Sequence, residues 1–215
     1  MHPKAFRLGV ITGWNSKWFA TRDYRSRLQE DVRIREYLSR ELKESAVDRI
    51  EIERGAGTIT VIVHSAKPGF IIGRGGAGAE DLKKKVRHKF YPAKKINLQI
   101  NIVEVTKPSL SAAVVAQQIA DDLEKRLPFR RAMKQALERV EKAGALGVKV
   151  RVKGRLNGAE IAREENMSRG KIPLQNLRAD INFALATAYT IYGTIGVAVW
   201  IYRGLVFGKN KEKES

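Results

Sequence analysis

Five glycines lie within ten positions of the stretch PGFIIGRGGAG, which runs from Pro68 to Gly78. Glycine has no Cβ, so its backbone can adopt a positive φ and can approach another molecule closely. Ligands that carry phosphate groups commonly require this approach, because backbone N–H groups can then point at the phosphate oxygens. The stretch therefore predicts a loop that contacts phosphates, and three known glycine-rich devices could account for it.

Two of these devices bind nucleotides, and neither fits its surroundings. The P-loop needs Gly-Lys-Ser or Gly-Lys-Thr, and the chain contains neither. The dinucleotide fingerprint G-x-G-x-x-G matches at Gly73, Gly75 and Gly78. That fingerprint requires a strand running directly into it and an acidic residue about 20 positions later. Here the preceding strand ends near His64, and residues 94–101 contain no acid.

The third device is the G-x-x-G loop of KH domains, which GRGG at positions 73–76 matches. Its outer glycines let the backbone turn tightly between two helices and lie against a sugar–phosphate chain. The next helix directs the positive end of its dipole at the phosphates. We therefore predict that Gly73, Arg74, Gly75 and Gly76 bind RNA.

The elements around the loop follow the order that a KH domain needs. Apolar residues at helical spacing run from Leu28 to Leu42, and VDRIEIER and TITVIVH alternate like the two strands of a hairpin. A short helix precedes the loop, a helix from Ala79 to about Phe90 follows it, and KINLQINIVEV alternates as a further strand. Residues 26–105 thus predict the order helix, strand, strand, helix, helix, strand.

Pro108, within TKPSLS, marks a boundary beyond which the sequence predicts a second domain. We expect helices at about 110–127 and 129–143, then several strands up to Arg203. An uncharged run of 22 residues, INFALATAYTIYGTIGVAVWIY, is long enough to span a bilayer. Its polar residues and the alternation in its second half instead favour two buried strands joined near Tyr192-Gly193, and we expect no membrane association.

The formal net charge is +18, from 41 basic and 23 acidic residues, and the excess is spread along the chain. Basic charge on every part of a folded chain suits a protein embedded in a polyanion. The chain has no cysteine, which excludes disulfides and zinc–thiolate sites and fits a reducing compartment. The N-terminus lacks the continuous apolar core of a signal peptide.

Residues that could carry out catalysis are scarce. The histidines His2, His64 and His88 are far apart in sequence, and neither a nucleophile–base pair nor metal-ligand spacing accompanies them. We therefore expect neither an enzyme nor a metal or cofactor site, and we interpret His64, which closes a strand, as structural.

Cations mixed with aromatic residues are further candidates for RNA contact. The tryptophans of the first 25 residues could stack on bases or pack on their own domain, and the sequence favours neither. The segment GRLNGAEIAREENMSRGKIP could contact RNA or form a plain hairpin, and the basic run from Lys83 to Lys95 suits an RNA groove or a neighbouring protein. The candidates are Lys4, Arg7, Trp14, Lys17, Trp18, Arg22, Lys83, Lys84, Arg155, Arg163, Arg169, Lys171 and Arg178.

Several motifs occur in the order that one known family shows. They are FRLG and WNSKWFA near the N-terminus, PGFIIGRGG at the loop, FRRAMK at 129–134, GRLNGAEIAR at 154–163, and LRADI with YGTIGVAVWIYRG near the C-terminus. Over about 200 residues the chain resembles the bacterial small-subunit ribosomal protein number three family. That family contains a type II KH domain.

The resemblance implies an α+β protein that begins with a type II KH domain in the order αββααβ. A second α/β domain follows, with two helices packed on a mostly antiparallel four-stranded sheet. We divide the chain into a basic and aromatic arm at 1–25, the KH domain at 26–107, the C-terminal domain at 108–207 and a charged, disordered tail at 208–215.

The family also implies a place in the head of the small ribosomal subunit, in the cytoplasm or its organellar equivalent. There it binds 16S-type ribosomal RNA beside the tenth and fourteenth proteins of that subunit, and it does not form homo-oligomers. The C-terminal domain lines the channel through which messenger RNA enters. The basic residues implicated there in opening RNA duplexes match Arg130, Arg131 and Lys134.

Helical spacing around these three cations agrees with an exposed basic edge. Phe129 and Met133 recur on the side that would face the core, while Arg130 and Lys134 share the outward side. An ordinary solvated basic face has the same pattern.

We therefore expect a structural constituent of the small ribosomal subunit that binds ribosomal RNA and helps to position and unwind messenger RNA. The sequence leaves two alternatives open. One is a non-ribosomal KH-domain factor in RNA processing or ribosome assembly. The other is a nucleic-acid-cleaving or nucleotide-dependent enzyme that would use an acid such as Asp180 or Glu160.

Overall fold

The computed structural model describes residues 2–55, 57–92 and 96–207, which form two compact units. The first unit is Trp14–Thr106, and the second combines the chain up to Gly13 with the chain from Lys107 onward. The predicted arm at 1–25 is therefore divided, because its two halves pack with different units. The predicted tail at 208–215 lies outside the described residues.

Six helices and eight strands make up the described part of the chain. The helices are α1 (Pro3–Phe6), α2 (Tyr24–Glu41), α3 (Pro68–Ile72), α4 (Ala77–Phe90), α5 (Ala112–Glu124) and α6 (Phe129–Lys142). The strands are β1 (Ser16–Lys17), β2 (Val47–Arg54), β3 (Thr58–Ser65), β4 (Asn97–Glu104), β5 (Gly147–Gly154), β6 (Arg163–Gly170), β7 (Ala179–Thr190) and β8 (Gly193–Leu205). From α2 to β4 this is the predicted order helix, strand, strand, helix, helix, strand, which is confirmed.

The sheet of the first unit has the order β1-β2-β3-β4. β2 and β3 pair antiparallel, with Ile52 opposite Val61, whereas β3 and β4 pair parallel, with Val61 opposite Ile100. The side chains that alternate in the sequence are buried, as expected for strands with one face on a core. The fully buried members of this core include Ile34, Leu38, Ile52, Val61, Val63 and Val86.

A buried carboxylate ties the segment before α2 to this sheet. Asp31, on α2, is fully buried. It accepts hydrogen bonds from the Ser16 hydroxyl at 2.9 Å and from Trp18 Nε1 at 2.7 Å. Its other oxygen accepts from Arg54 Nε at 2.8 Å, and the Arg54 side chain is only 8% exposed. One carboxylate therefore connects β1, α2 and β2.

The neighbouring acid completes this network around Arg54. Glu30 pairs with the Arg54 guanidinium at 3.0 Å and accepts a hydrogen bond from the Tyr91 hydroxyl at 3.2 Å. Burial raises the pKa of Tyr91 to about 12, so this hydroxyl remains a donor at neutral pH.

The second unit is a fully antiparallel sheet with the order β6-β5-β8-β7, covered on one face by α5 and α6. The predicted pair of helices on a four-stranded sheet is confirmed. The uncharged run at 181–202 forms most of β7 and β8, joined at 191–192, as the two-strand interpretation expects. Among the residues that the structure describes, no helix is both long and apolar enough to cross a bilayer.

Helix α6 packs its apolar side on the sheet and leaves its basic side exposed. Phe129 and Met133 are buried, as the spacing predicts, and so are Ala132, Ala136, Leu137 and Val140. On the opposite face of the sheet, Phe183 and Trp200 belong to a smaller apolar cluster. The ring of His2, directly before α1, meets Phe183 edge-on at 4.8 Å.

Replacing Asp31 by Asn tests the importance of the buried carboxylate. We expect the free energy of unfolding to fall by about 3 kcal/mol, because Arg54 would keep a buried charge without its main partner. Urea unfolding of the full chain measures this loss. Asp81→Asn, at an exposed acid on α4, is the control. A loss no larger than that of the control would contradict the role assigned to Asp31.

Candidate nucleic-acid interfaces

The glycine loop, Gly73–Gly76, has the backbone that its sequence predicts. Gly73, Gly75 and Gly76 have φ angles of 67°, 61° and 84°, in the range that residues with a Cβ rarely adopt. A Cβ added at Gly75 or Gly76 would meet no atom within 4 Å. The loop therefore presents open backbone at the surface between α3 and α4.

Gly78, in the first turn of α4, has a packing role that sequence reasoning missed. A Cβ at this position would lie 2.7 Å from the carbonyl oxygen of Ile71, so only glycine lets the first turn of α4 pass the end of α3 this closely. The signal is present in the sequence, because Gly78 is the last of the five clustered glycines, but the G-x-x-G motif ends at Gly76 and does not include it.

Cations and apolar side chains surround the glycine loop. Arg74 is exposed, and α4 buries Leu82 and Val86 while its basic residues face solvent. Phe70 and Ile72, on α3, are 68% and 40% exposed. The exposed basic residues of α4 are Lys83, Lys84, Lys85, Arg87 and Lys89. Lys94 and Lys95 of the predicted basic run lie outside the described residues.

The second unit holds the α6 cluster, which is Arg130, Arg131 and Lys134. All three side chains are exposed on the first turns of α6, and no acidic residue occupies the first turn of that helix. The helix dipole therefore adds to the positive charge there. Arg130 has one loose acidic neighbour, Glu165, whose carboxylate lies 3.8 Å away. Within the described ranges, Arg131 and Lys134 have no ion-pair partner.

The predicted RNA candidates of the segment at 154–173 serve partly to hold the fold. Arg169 pairs with Glu141 of α6, and Arg155 Nε donates to the carbonyl oxygen of Ala159 at 2.8 Å. These two guanidiniums are thus committed to contacts within the protein. Arg163, Lys171 and Arg178 are exposed.

The N-terminal candidates divide in the same way. For Arg7, the structure contradicts the prediction of RNA contact. Arg7 is 1% exposed, and its guanidinium donates to the carbonyl oxygens of Pro3 at 3.0 Å, Leu174 at 2.8 Å and Asn176 at 2.9 Å. A fourth hydrogen bond, to the carbonyl oxygen of Pro173, is 3.4 Å long. Because these four contacts keep the guanidinium buried, Arg7 cannot reach RNA.

Within residues 14–22, some candidates pack on the first unit and others remain accessible. Lys17 pairs with Glu53 at 3.0 Å and with Glu51 at 3.2 Å, and Trp18 is held by Asp31. Trp14 is 68% exposed and Arg22 is exposed. Lys4, in the second unit, is half-buried. Packing on the domain thus applies to Lys17 and Trp18, whereas base stacking stays a prediction for the exposed Trp14.

His64 has the surroundings of a structural histidine. Its Nε2 lies 3.4 Å from Glu51 on the neighbouring strand. Burial, followed by the charge of Arg49, lowers the pKa of His64, so the ring is neutral at physiological pH. Among the described residues, no three His, Asp or Glu side chains are grouped closely enough to hold a metal ion.

Comparisons with known proteins cover nearly the whole chain. A KH domain family model matches residues 33–110, and the family model described as ribosomal protein S3, C-terminal domain, matches residues 119–201. The chain is also similar to curated proteins named small ribosomal subunit protein uS3. The relative from Lactobacillus helveticus is 49% identical over 213 residues, which cover 99% of this chain and 93% of the relative.

Two further relatives with the same name give the same picture. The protein from Bacillus cytotoxicus is 49% identical over 212 residues, which cover 99% of this chain and 95% of the relative. The protein from Enterococcus faecalis is 47% identical over 214 residues, which cover 100% of this chain and 96% of the relative.

Replacing Gly75 by Asp tests the glycine loop. We expect RNA affinity to fall by about tenfold, because a carboxylate would stand where a phosphate approaches, while the open space around Gly75 leaves the fold intact. Fluorescence anisotropy with a labelled RNA measures the affinity, and urea unfolding measures the stability.

Gly75→Asn is the matched control for this substitution. It makes the same demand on the positive-φ backbone, which Asn and Asp tolerate better than other residues, but it adds no charge. If the Asp variant is folded and binds RNA as tightly as the parent chain does, the loop does not contact phosphate.

Proposed function

The chain belongs to the uS3 family of small ribosomal subunit proteins, and on this basis we propose that its two units bind different RNAs. The first unit binds ribosomal RNA through the glycine loop. The second unit contacts messenger RNA through the α6 cluster. As a constituent of the small subunit, the protein acts as a structural RNA-binding component and not as an enzyme.

The backbone of the glycine loop carries the proposal for the first unit. Gly73, Gly75 and Gly76 keep the loop free of side chains, and a Cβ at Gly75 or Gly76 would stand in open space. A sugar–phosphate chain can therefore lie directly against this backbone. Arg74 adds a cation at the same point. The exposed lysines and arginines of α4 lie further along that helix, beyond Glu80 and Asp81, where they can neutralise further phosphates of the same RNA.

The α6 cluster carries the proposal for messenger RNA. Arg130, Arg131 and Lys134 project from a helix whose opposite side is fixed in the core. When the end of an RNA duplex frays, the phosphates of both strands become accessible to these cations. Binding the separated strands more tightly than the duplex shifts the equilibrium toward the open state. This mechanism needs no nucleotide hydrolysis, because thermal fraying supplies the opening step.

The proposal also includes a position in the head of the small subunit, at the channel through which messenger RNA enters, beside the tenth and fourteenth proteins. The likeness of the N-terminal and C-terminal motifs to the family supports it. Phe19 is 84% exposed and Trp14 is 68% exposed. Large apolar side chains left this accessible suit a contact that forms on assembly with RNA or with a neighbouring protein.

Sedimentation of a cell lysate through a sucrose gradient in high salt tests the ribosomal assignment. We expect the chain to stay with the small subunit in near-stoichiometric amount. A free KH-domain factor would dissociate, since affinity that rests on phosphate contacts falls with log[salt] by about 0.7 per single-strand phosphate neutralised. Recovery at the top of the gradient would contradict the proposal.

Changing Arg130, Arg131 and Lys134 together to Ala tests the strand-opening role. We expect subunits to assemble normally and unstructured messages to be translated at the parent rate. Translation through a stable hairpin should slow by about tenfold, since the loss of charge-assisted contacts costs the open state at least that factor. Single-round translation of paired messages, with and without the hairpin, measures both rates.

The control removes two cations from the other end of the same helix, by Arg139→Ala with Lys142→Ala. This double variant should translate both messages at the parent rate. Equal slowing of both messages by the triple variant would exclude strand opening. Failure of the triple variant to assemble would show that the cluster binds ribosomal RNA instead.

A further inference from the structure

We propose that Arg163, on strand β6, completes a phosphate-binding site with Arg130 across the ring of Phe129, and that Glu165 competes with the phosphate for Arg130. The ligand is a phosphodiester group of an RNA backbone. The inference rests on the function proposed for the α6 cluster, which it extends from one helix to a second element of the same unit.

Phe129 is the contact that the two arginines share. Its ring is 2% exposed and packs in the core at the start of α6. The guanidinium carbon of Arg130 lies 5.7 Å from the ring centroid, and that of Arg163 lies 5.8 Å from it. A cation within about 6 Å of an aromatic centroid is attracted by the ring quadrupole. A buried ring therefore positions two exposed cations next to each other.

The register of β6 directs Arg163 toward this ring. Met167 packs against the core beneath the helices, and Arg169 pairs with Glu141 of α6. Alternate residues of a strand point to the same face, so Arg163 and Glu165 also face α6. Both residues lie beside the first turn of α6, since Arg163 contacts the ring of Phe129 and Glu165 approaches Arg130.

The charges around the ring are incompletely balanced. Glu165 is 3.8 Å from Arg130, which is longer than a hydrogen bond. Arg163 has no carboxylate within ion-pairing distance in the described part of the chain. A phosphodiester group has two free oxygens, and guanidinium groups bind such oxygens with short, charge-assisted hydrogen bonds. One phosphate can thus bridge both arginines, which Glu165 does not do.

A double-variant cycle tests whether the two arginines serve one phosphate. The full-length chain is titrated against a fluorescein-labelled RNA duplex with a single-stranded extension, and anisotropy gives the Kd. We expect Arg163→Ala and Arg130→Ala each to raise the Kd by about tenfold. The double variant should raise the Kd by about twentyfold, far less than the roughly hundredfold increase expected if the two single effects multiplied. The reason is that losing either arginine already prevents one phosphate from bridging both.

Lys142→Ala is the matched control in this titration, since it removes one exposed cation from the far end of α6. It should change the Kd by less than about twofold, the effect of general charge alone. If Arg163→Ala behaves like Lys142→Ala, or if the two arginine effects multiply, the shared site is overturned.

Two further variants test the positioning role of Phe129. Phe129→Leu keeps an apolar side chain but removes the ring, and it should raise the Kd by about threefold, as expected for two weakened cation–π contacts. Phe129→Tyr keeps the ring and should bind like the parent chain. A role in packing alone would instead lower the urea midpoint of the Leu variant without changing the Kd, and that result would overturn the positioning role.

Glu165→Gln tests the competing carboxylate and should lower the Kd by about twofold, because a weak exposed ion pair no longer competes with the phosphate. Weaker or unchanged binding by this variant overturns the proposed role of Glu165. The Arg130, Arg131 and Lys134 triple variant belongs in the same titration. If it binds like the parent chain, the proposed function fails; if it binds weakly and Arg163→Ala does not, only the present inference fails.

Discussion

The unequal number of acids and bases is the constraint on which the rest of the structure depends. With 41 basic and 23 acidic residues, the chain cannot pair every cation internally. Asp31 holds the buried Arg54 in the first unit, and Glu141 pairs with Arg169 at the surface of the second unit. Cations without such partners remain on surfaces that suit phosphate. A polyanion therefore supplies the charge that the chain lacks, which is the electrostatic situation of a protein assembled into RNA.

The two surfaces proposed to bind RNA meet this constraint by different physical means. The glycine loop relies on the absence of side chains, because a phosphate must reach backbone amides directly. The α6 cluster relies on long side chains that carry charge, projected from a helix that the core keeps rigid. The loop thus depends on open space beside its backbone, and a negative charge placed there would repel a phosphate. The cluster depends mainly on Coulomb attraction, which salt screens.

Sequence reasoning succeeded where the deciding interactions are local. The alternation of Ile59, Val61 and Val63 and the helical spacing of α6 follow from burial of one face, and positive φ angles follow from clustered glycines. It failed where distant contacts decide. Arg7 looks like any other basic residue near the N-terminus, yet it is buried because three of its four hydrogen-bond acceptors lie more than 160 positions later in the chain. The division of the arm near Gly13 has a similar cause, since its second half depends on the distant carboxylate of Asp31.

Aromatic rings offer this chain a way to order cations without using its scarce acids. A carboxylate that fixes an arginine also neutralises it, whereas a ring fixes the cation and leaves its charge and its N–H donors available. Lys89 Nζ lies 4.1 Å from the centroid of the Tyr37 ring, and the guanidinium carbon of Arg178 lies 5.5 Å from the centroid of the Phe207 ring. Side chains held in this way have lost part of their conformational entropy before RNA arrives, so less of the binding energy is spent on ordering them. Phe129 has the same effect on Arg130 of the α6 cluster, because its ring orders the guanidinium without neutralising it.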